Sequence, residues 1–294
     1  MIDPQLENKV VLITGANHGI GAATAKAFAV QGTKVFVTYF REPCPYSAEE
    51  LREARTAGIG GDKYFRAMQQ QSAEPFVRHI QAHGGVVFAY EADLADWANI
   101  PVLFDLCEAE LGPVDILVNN HTYDVLETFD PALTSEDYRW FGEYAVRLIT
   151  ATSIDAHFAV NARAYALMMS EYINRYLKRE ASWGRIINIS TDAAHAHPAN
   201  VSYAASKHAI ESYSRSAAAE IGKYGITVNI VAPGPIQTGY MTPDMEADLA
   251  EQAPLRRVGQ PEDVADVIVF VASEQARWLS GQLIYVGGGW RMHQ

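Results

Sequence analysis

Short runs of apolar residues alternate along the chain with longer segments whose apolar residues recur at helical spacing. The first run, at 9–14, is rich in β-branched residues, and the alanine-rich segment at 21–31 that follows it ends at Gly32. Uninterrupted apolar strands are typical of a parallel sheet that is covered on both faces. Strands that alternate with helices therefore predict a doubly wound α/β fold of about seven strands. The predicted strands lie at 9–14, 34–40, 86–90, 114–118, 185–189, 227–232 and 282–286.

No internal repeat or low-complexity linker interrupts this pattern, so we predict one domain over residues 1–294. Two connections, a first insertion near 41–75 and a second near 123–152, are longer than a minimal strand–helix unit needs. The first contains Ser47 and Glu50 at the spacing of a capping box, which predicts a short helix, followed by a glycine-rich stretch that we expect to be flexible. The second carries aromatic residues at helical spacing, which favours a core or interface role over a ligand site.

Composition narrows the possible functions. Apolar residues make up 49% of the chain and charged residues 20%, which is typical of a globular protein. Acidic residues outnumber basic ones by 35 to 23, and this argues against a nucleic-acid partner. No apolar stretch approaches the ~20 residues of a membrane span, no signal peptide is evident, and only two cysteines, Cys44 and Cys107, are present. We therefore expect a cytoplasmic protein without a membrane partner.

A glycine-rich turn follows the first predicted strand and contains Gly15, Gly19 and Gly21. Glycine allows a tight turn and lets backbone N–H groups approach a pyrophosphate, while the helix behind the turn points its positive end at that anion. The position of the turn between a strand and a helix predicts a dinucleotide site, and an ordinary tight turn is the alternative.

The end of the second strand bears on the choice of dinucleotide. An NAD site usually places an acid there to hold the ribose 2′-OH, but the chain runs from Thr38 to Arg41 without an acid until Glu42. The missing carboxylate removes repulsion against a 2′-phosphate, to which Arg41 and a protonated His18 offer positive charge. We therefore expect NADP(H), with NAD(H) as the alternative if Arg41 is only a solvated loop residue.

Tyr203 and Lys207 are four positions apart on a predicted helix and so share one face. A nearby ammonium lowers the pKa of a tyrosine, which can then act as general acid or base at a carbonyl or an alcohol. Ser190 and Thr191 end the fifth strand, at the sheet edge where α/β folds bind ligands, and a hydroxyl there can bond the substrate oxygen. Asn161 precedes them in a helical region and is a candidate to hold a water in a proton relay.

In these motifs and their order, the chain resembles the short-chain dehydrogenase/reductase family over nearly its whole length. Asn161, Tyr203 and Lys207 match three members of that family's catalytic tetrad. The resemblance implies a Rossmann-type sheet in the order 3-2-1-4-5-6-7 and hydride transfer at a carbinol or carbonyl carbon. In reduction, Tyr203 would donate its proton to the substrate oxygen, Lys207 would hold the nicotinamide ribose, and Asn161 would support a water relay. The chain is similar to 3-oxoacyl-acyl-carrier-protein reductases, and the family implies a homo-oligomer, either a tetramer or a dimer.

The resemblance also extends to the segments that contact the cofactor. In the family, an acid after the third strand contacts the adenine, an Asn-Asn pair follows the fourth strand, and a Pro-Gly segment clasps the nicotinamide. With Arg41 and His18 from the charge argument, the residues expected at the cofactor are Gly15, Asn17, His18, Gly19, Ile20, Gly21, Arg41, Asp93, Leu94, Asn119, Asn120, Tyr203, Lys207, Pro233, Gly234, Ile236 and Thr238.

The family's catalytic serine has two candidate positions here. Anchored on the fifth strand, it corresponds to Thr191, whereas counting back from Tyr203 points nearer Ser190. We prefer Thr191, because loops vary in length more readily than strands shift, and threonine retains the hydroxyl.

The family's small Ala-Gly pair after Asn119 and Asn120 is also replaced, by His121 and Thr122. We expect His121 to hydrogen-bond the loop rather than to take part in the chemistry.

Candidate substrate contacts are His195, Tyr123 and Tyr240, the last of which lies in a segment, 235–254, that resembles the family's mobile substrate lid. His195 and His197 have no evident third ligand, so we expect no metal. The sequence thus predicts an oxidoreductase that transfers a hydride between NADP(H) and a ketone or secondary alcohol. The alternative is a dinucleotide-binding regulatory protein without turnover.

Overall fold

The computed structural model describes residues 3–135, 137–141 and 143–290. Its strands are β1 (Val10–Thr14), β2 (Lys34–Tyr39), β3 (Val86–Glu91), β4 (Ile116–Asn119), β5 (Glu127–Thr128), β6 (Arg147–Leu148), β7 (Gly184–Ile189), β8 (Ile226–Pro233) and β9 (Leu283–Val286). Its helices are α1 (Gly19–Val30), α2 (Ala48–Ala57), α3 (Asp62–Gln69), α4 (Glu74–Ala82), α5 (Asn99–Leu111), α6 (Ala151–Phe158), α7 (Tyr165–Lys178), α8 (Val201–Ile221), α9 (Pro243–Gln252) and α10 (Pro261–Ala272). A π-helical segment, Ala159–Ala164, joins α6 to α7.

Seven parallel strands form the central sheet in the order β3-β2-β1-β4-β7-β8-β9. This order confirms the predicted sheet, because β7, β8 and β9 are its fifth to seventh strands. The chain reverses its direction of winding between β1 and β4, and α/β folds bind ligands in the crevice that such a reversal opens. The carboxyl ends of β1, β4 and β7 therefore mark the place where a site is expected.

Helices cover both faces of the sheet and explain why its strands are continuously apolar. On one face, Phe28 of α1 and Ile268 of α10 are buried against Ile13. On the other, Phe104 of α5 and Met168 of α7 are buried in a second cluster. Burial of each such side chain contributes about 1.5–3 kcal/mol, so these two layers hold the strand ends in place.

The first insertion folds into α2 and α3. Ser47 and Glu50 form the predicted capping box: Ser47 N–H donates to the Glu50 carboxylate at 2.9 Å, and Glu50 N–H donates to Ser47 Oγ at 3.3 Å. The glycine-rich stretch after α2 is closely packed rather than open. Gly61 N–H donates to the Gly239 carbonyl at 2.9 Å, and a Cβ on Gly60 would collide with the carbonyl oxygen of Met241. The expectation of flexibility there does not match this packing.

The second insertion contains the short parallel pair β5 and β6 and reaches the first insertion. Glu143 accepts a hydrogen bond from the Asp62 backbone N–H at 2.7 Å, and the Tyr144 hydroxyl donates to the Tyr240 carbonyl. The two insertions and the segment after β8 thus contact one another beside the carboxyl edge of the sheet.

Within the described ranges, no helix combines the length and the hydropathy that a membrane crossing requires.

Candidate active site

The glycine-rich turn after β1 forms a tight cradle in which added side chains would press against neighbouring atoms of the chain. Gly15 and Gly19 have φ angles of +63° and +54°, which favour glycine. A Cβ on Gly21 would collide with the Gly15 carbonyl and lie 2.7 Å from Asn120 Nδ2, which itself donates to that carbonyl at 2.8 Å. A Cβ on Gly19 would lie 3.2 Å from the Thr238 methyl group. The turn, Asn120 and Thr238 therefore meet at the start of α1, a geometry that fits a dinucleotide pyrophosphate.

Asn17 and His18 of the same turn contact the first insertion. Asn17 Nδ2 donates to the carbonyls of Gln69 and Gln71 at 2.8 and 2.9 Å, and the His18 ring lies 5.4 Å from that of Phe65. Burial lowers the pKa of His18 to about 4, and its Nε2 has no hydrogen-bond partner within the described residues. His18 is thus neutral at pH 7 and does not carry the positive charge that the sequence argument gave it.

Arg41 is neither free nor merely solvated. Its Nε and Nη2 donate to the two carboxylate oxygens of Glu91, with Nη2–Oε2 at 2.6 Å. The hydrogen bond from Arg41 lowers the pKa of Glu91. A 2′-phosphate would have to compete with Glu91 for this guanidinium.

Most of the remaining expected cofactor residues follow the carboxyl end of a strand. Several of them are hydrogen-bonded to other parts of the chain. Asp93 accepts from Ala95 N–H at 2.8 Å. Asn119 donates to Asn188 across β4 and β7 at 2.8 Å. Gly234, directly after Pro233, donates its N–H to Val286 at 3.0 Å. Three other residues of this set are at least partly buried among apolar side chains: Ile20, Leu94 and Ile236.

Tyr203, near the start of α8, lies close enough to the Thr191 side chain for Thr191 to act on its pKa. Burial raises the pKa of Tyr203 above its usual value, so the lowering expected from the nearby Lys207 is wrong for this arrangement. The Asp124 charge adds to the rise, and the nearby Thr191 side chain opposes it. Ser190 points elsewhere: its buried hydroxyl donates to Glu211 at 3.0 Å. Of the two serine-position candidates, the structure brings only Thr191 to Tyr203.

Lys207 lies beneath Tyr203, with Nζ 5.8 Å from the centre of the Tyr203 ring. Its ammonium donates to the Ile189 carbonyl at 2.9 Å and to the Tyr165 hydroxyl at 3.2 Å. Burial lowers the pKa of Lys207 to about 7, and the Asp124 charge opposes this. The ammonium is therefore only partly populated in the unliganded protein at pH 7.

Asn161 lies in the π-helical segment with its side-chain amide fully used. Nδ2 donates to the Tyr123 carbonyl at 2.8 Å and to Ser206 Oγ at 3.0 Å. Oδ1 accepts from Tyr123 N–H at 2.8 Å and from the Thr122 hydroxyl at 3.3 Å. An amide offers two donors and two acceptor sites, so this side chain has none left for a relay water. Its geometry instead ties the loop after β4 to α8.

His121 hydrogen-bonds on both ring nitrogens. Nε2 lies 3.1 Å from the Val160 carbonyl, which can only accept, so Nε2 carries the proton. Burial lowers the pKa of His121 to about 3, so the ring is neutral and Nδ1 accepts from the Thr14 hydroxyl at 2.7 Å. This geometry agrees with the expected loop-holding role.

Of the three expected substrate residues, Tyr240 lies close enough to Tyr203 to act on its pKa. Tyr123 is held by Asn161, and the Tyr240 ring stands 6.4 Å from that of Phe65. His195 is exposed and lines a separate cavity of about 440 Å³, together with His197 and His208 but not Tyr203. Within the described residues, no group of three or more potential ligands is arranged to hold a metal.

The sequence reasoning missed two residues beside the catalytic pair. Asp124 accepts from Asn200 at 2.8 Å and acts electrostatically on both Tyr203 and Lys207. Tyr165 contacts Lys207 directly. A signal existed for Tyr165, because it lies one helical turn beyond Asn161; nothing local in the sequence indicated Asp124.

Comparison with known protein families decides the affiliation of this site. A model described as enoyl-(acyl carrier protein) reductase matches residues 54–291, and one described as short chain dehydrogenase matches residues 9–63. The chain belongs to the short-chain dehydrogenase/reductase family. As a member, it is a nicotinamide-dependent oxidoreductase that interconverts a CH–OH group and a carbonyl.

Individual members of the family match along nearly the full chain. The 7alpha-hydroxysteroid dehydrogenase of Escherichia coli is 30% identical, covering 97% of this chain and 95% of its own. The 3-oxoacyl-[acyl-carrier-protein] reductase FabG of Staphylococcus epidermidis is 29% identical, covering 97% of this chain and 100% of its own. A dehydrogenase/reductase structure from Sinorhizobium meliloti has a TM-score of 0.76 at 27% identity, covering 99% of this chain and 98% of its own.

Replacing Gly21 with alanine tests the cradle. The added Cβ would collide with Gly15 and Asn120, and overpacking of this kind costs about 1–3 kcal/mol. We expect Gly21→Ala to lower the melting temperature and to weaken NAD(P)H binding, measured by fluorescence titration. Gly222→Ala is the matched control, because it meets open space at a helical φ of −52°. Equal affinity for the cofactor in both variants would contradict the role of the glycine cradle in cofactor binding.

Proposed function

We propose that this short-chain dehydrogenase/reductase transfers a hydride between NADP(H) and a ketone or secondary alcohol, with Tyr203 as general acid or base. The observation that carries the proposal is the placement of the Thr191 side chain and the buried Lys207 beside Tyr203, with Lys207 Nζ 5.8 Å from the Tyr203 ring centre. The arrangement places a proton donor, a hydroxyl partner and a cation at one edge of the sheet.

The glycine cradle at the start of α1 supports a dinucleotide in this crevice, because residues without a Cβ allow the tight turn that lets backbone N–H groups approach a pyrophosphate. Asn120 and Thr238 flank the cradle and would hold the cofactor from either side. When bound, the nicotinamide dinucleotide supplies or accepts the hydride.

In the direction of reduction, Tyr203 donates its proton to the substrate oxygen. Its raised pKa keeps the phenol protonated across neutral pH, as an acid requires. Thr191 offers the same oxygen a second hydrogen bond and so orients the carbonyl. The Lys207 ammonium stabilises the tyrosinate that remains after proton donation. Asn161 holds the loop that faces these groups.

Removing the Tyr203 hydroxyl should abolish most turnover. General acid–base catalysis typically contributes about 10²–10⁴-fold, so we expect Tyr203→Phe to lower kcat by that factor while cofactor affinity stays unchanged. Tyr213→Phe is the control, since Tyr213 lies on the same helix and is exposed. NAD(P)H oxidation across ketones, β-ketoacyl thioesters, quinones and sugars measures the effect. Parent-like carbonyl reduction by Tyr203→Phe would overturn the mechanism.

The same assay separates the two hydroxyls at the end of β7. Thr191→Val should lower kcat much more than Ser190→Ala, because only Thr191 contacts Tyr203. The reverse order would assign the role to Ser190.

The preference for NADP(H) is supported by the end of β2, which lacks a carboxylate and presents Arg41. Glu91 holds Arg41 at present, but an exposed ion pair is worth only about 0–1 kcal/mol. The more highly charged 2′-phosphate can therefore replace Glu91 as the partner of the Arg41 guanidinium at little cost. NAD(H) lacks this phosphate and gains nothing from displacing Glu91.

Two substitutions test this choice. Arg41→Ala should weaken NADPH binding by about tenfold while leaving NADH nearly unchanged. Glu91→Gln should have the opposite effect and tighten NADPH, because it releases Arg41. Calorimetric titration of both cofactors measures the four affinities. Equal losses for NADPH and NADH in Arg41→Ala would remove the argument for a 2′-phosphate contact.

The substrate is a small molecule with a carbonyl or secondary alcohol, bounded by Tyr123 and Tyr240. The regulatory alternative has no support in the relatives described above, whose names are those of dehydrogenases and reductases. A cytoplasmic location is part of the proposal, supported by two cysteines that are both free thiols.

A homo-oligomer is also part of the proposal. Phe158 and Leu167, on the consecutive helices α6 and α7, expose large apolar side chains that a second copy would cover. Light scattering coupled to size exclusion should give a mass two or four times that of the 32.4 kDa chain. A monomer at micromolar concentration would contradict this expectation.

A further inference from the structure

Tyr165 is fully buried at the start of α7, and its hydroxyl lies directly against the catalytic lysine. The hydroxyl donates to the His121 carbonyl at 2.8 Å and accepts from Lys207 Nζ at 3.2 Å. A phenol has one proton, and the shorter contact to a carbonyl takes it. Towards Lys207, therefore, Tyr165 acts only as an acceptor.

This acceptor limits the orientations of the ammonium. Lys207 has three N–H donors, of which the Ile189 carbonyl takes one at 2.9 Å and Tyr165 takes a second. One donor remains for the side of Tyr203, whose ring centre lies 5.8 Å away. Two fixed acceptors thus fix the direction of the third N–H.

His121 fixes Tyr165 in turn. Its ring is anchored to Thr14 through Nδ1 and to Val160 through Nε2, and it packs against the Tyr165 ring at 4.3 Å between centres. Its carbonyl is the acceptor for the Tyr165 proton. The chain of contacts runs from the end of β1 through His121 and Tyr165 to Lys207, and every member is buried.

We propose that Tyr165, supported by His121, is the positioning residue that holds the Lys207 ammonium in its catalytic orientation and favours this charged form over the neutral amine. The proposal rests on the proposed function, in which Lys207 assists Tyr203. Neither Tyr165 nor His121 touches the substrate in this arrangement, so both act through Lys207.

The charge of Lys207 depends on every group that faces it. Burial lowers its pKa to about 7, and Asp124, in the loop after β4, opposes that shift. Tyr165 from α7 and Tyr203 from α8 are neutral at pH 7, since burial raises the pKa of both. His121 is neutral as well. Since an oxygen acceptor stabilises the ammonium, loss of the Tyr165 hydroxyl should lower the pKa of Lys207 further.

Tyr165→Phe tests this inference, because it removes the hydroxyl and keeps the ring. The matched control is Tyr172→Phe, two turns further along α7, whose buried hydroxyl donates to the Asp115 carbonyl at 2.7 Å away from the site. The titration of Lys207 is followed by NMR of the full chain labelled with ¹³C at lysine Cε. The Lys207 signal is assigned by its loss in Lys207→Gln.

In the parent and in Tyr172→Phe, the Lys207 signal should titrate with a midpoint near pH 7. In Tyr165→Phe the midpoint should fall by about one unit or more, the value of a lost hydrogen bond to a charged group. The alkaline limb of kcat/KM in the direction of reduction should move to lower pH by the same amount. An unchanged midpoint in Tyr165→Phe, or an equal shift in Tyr172→Phe, would overturn the proposal.

A second variant keeps the test decisive if Tyr165→Phe does not fold. His121→Ala keeps the carbonyl but removes both ring anchors, so the Tyr165 hydroxyl is freed to turn towards the Ile189 carbonyl, 3.3 Å away. We expect a smaller shift of the Lys207 midpoint in the same direction. The absence of any shift would overturn the proposal. The NMR readout needs no turnover, whereas failure of the proposed function would appear as Tyr203-independent activity.

Discussion

Lys207 places its side-chain amine at the carboxyl edge of a parallel sheet, where it is almost completely withdrawn from water at 2% exposed. A buried cation persists only where its N–H groups find oxygen acceptors. The end of β7 supplies one through Ile189, and α7 supplies the other through Tyr165. This requirement for two acceptors constrains how β7, α7 and α8 pack together. It thereby constrains the positions of Thr191, which follows β7, and of Tyr203, which lies on α8. The sheet order serves the site because it brings these three elements together.

The departures from the family's pattern in the loop after β4 fit this picture. His121 stands where the family has a small residue, and it fills the space between Thr14 and the Tyr165 ring. A Cβ on Gly15 would lie 2.8 Å from the His121 Cα, so the loop already approaches the glycine turn as closely as atoms allow. The larger residue is accommodated through its side chain, which turns towards α7, while the backbone keeps the place that the cofactor turn requires.

The parts of the structure that sequence predicts are those governed by local patterns. The strands follow from uninterrupted apolar runs, and the start of α2 follows from the spacing of Ser47 and Glu50. Local patterns do not predict which distant side chains pair. Arg41 forms its ion pair with Glu91 only because β2 and β3 are neighbours in the sheet. The neutral state of His18 depends on its burial beside Phe65, and the close packing of Gly61 depends on Gly239. Each of these requires the tertiary fold.

The two insertions and the segment after β8 are bonded to one another in pairs. Gly61 is bonded to Gly239, Tyr144 to Tyr240, and the Asp62 backbone to Glu143, so the three segments form one closed set of contacts. The segment after β8 also carries Thr238, which lies against Gly19 of the glycine turn. A substitution in either insertion that breaks one of these bonds therefore acts on the wall of the crevice from a distance, without touching Tyr203 or Lys207.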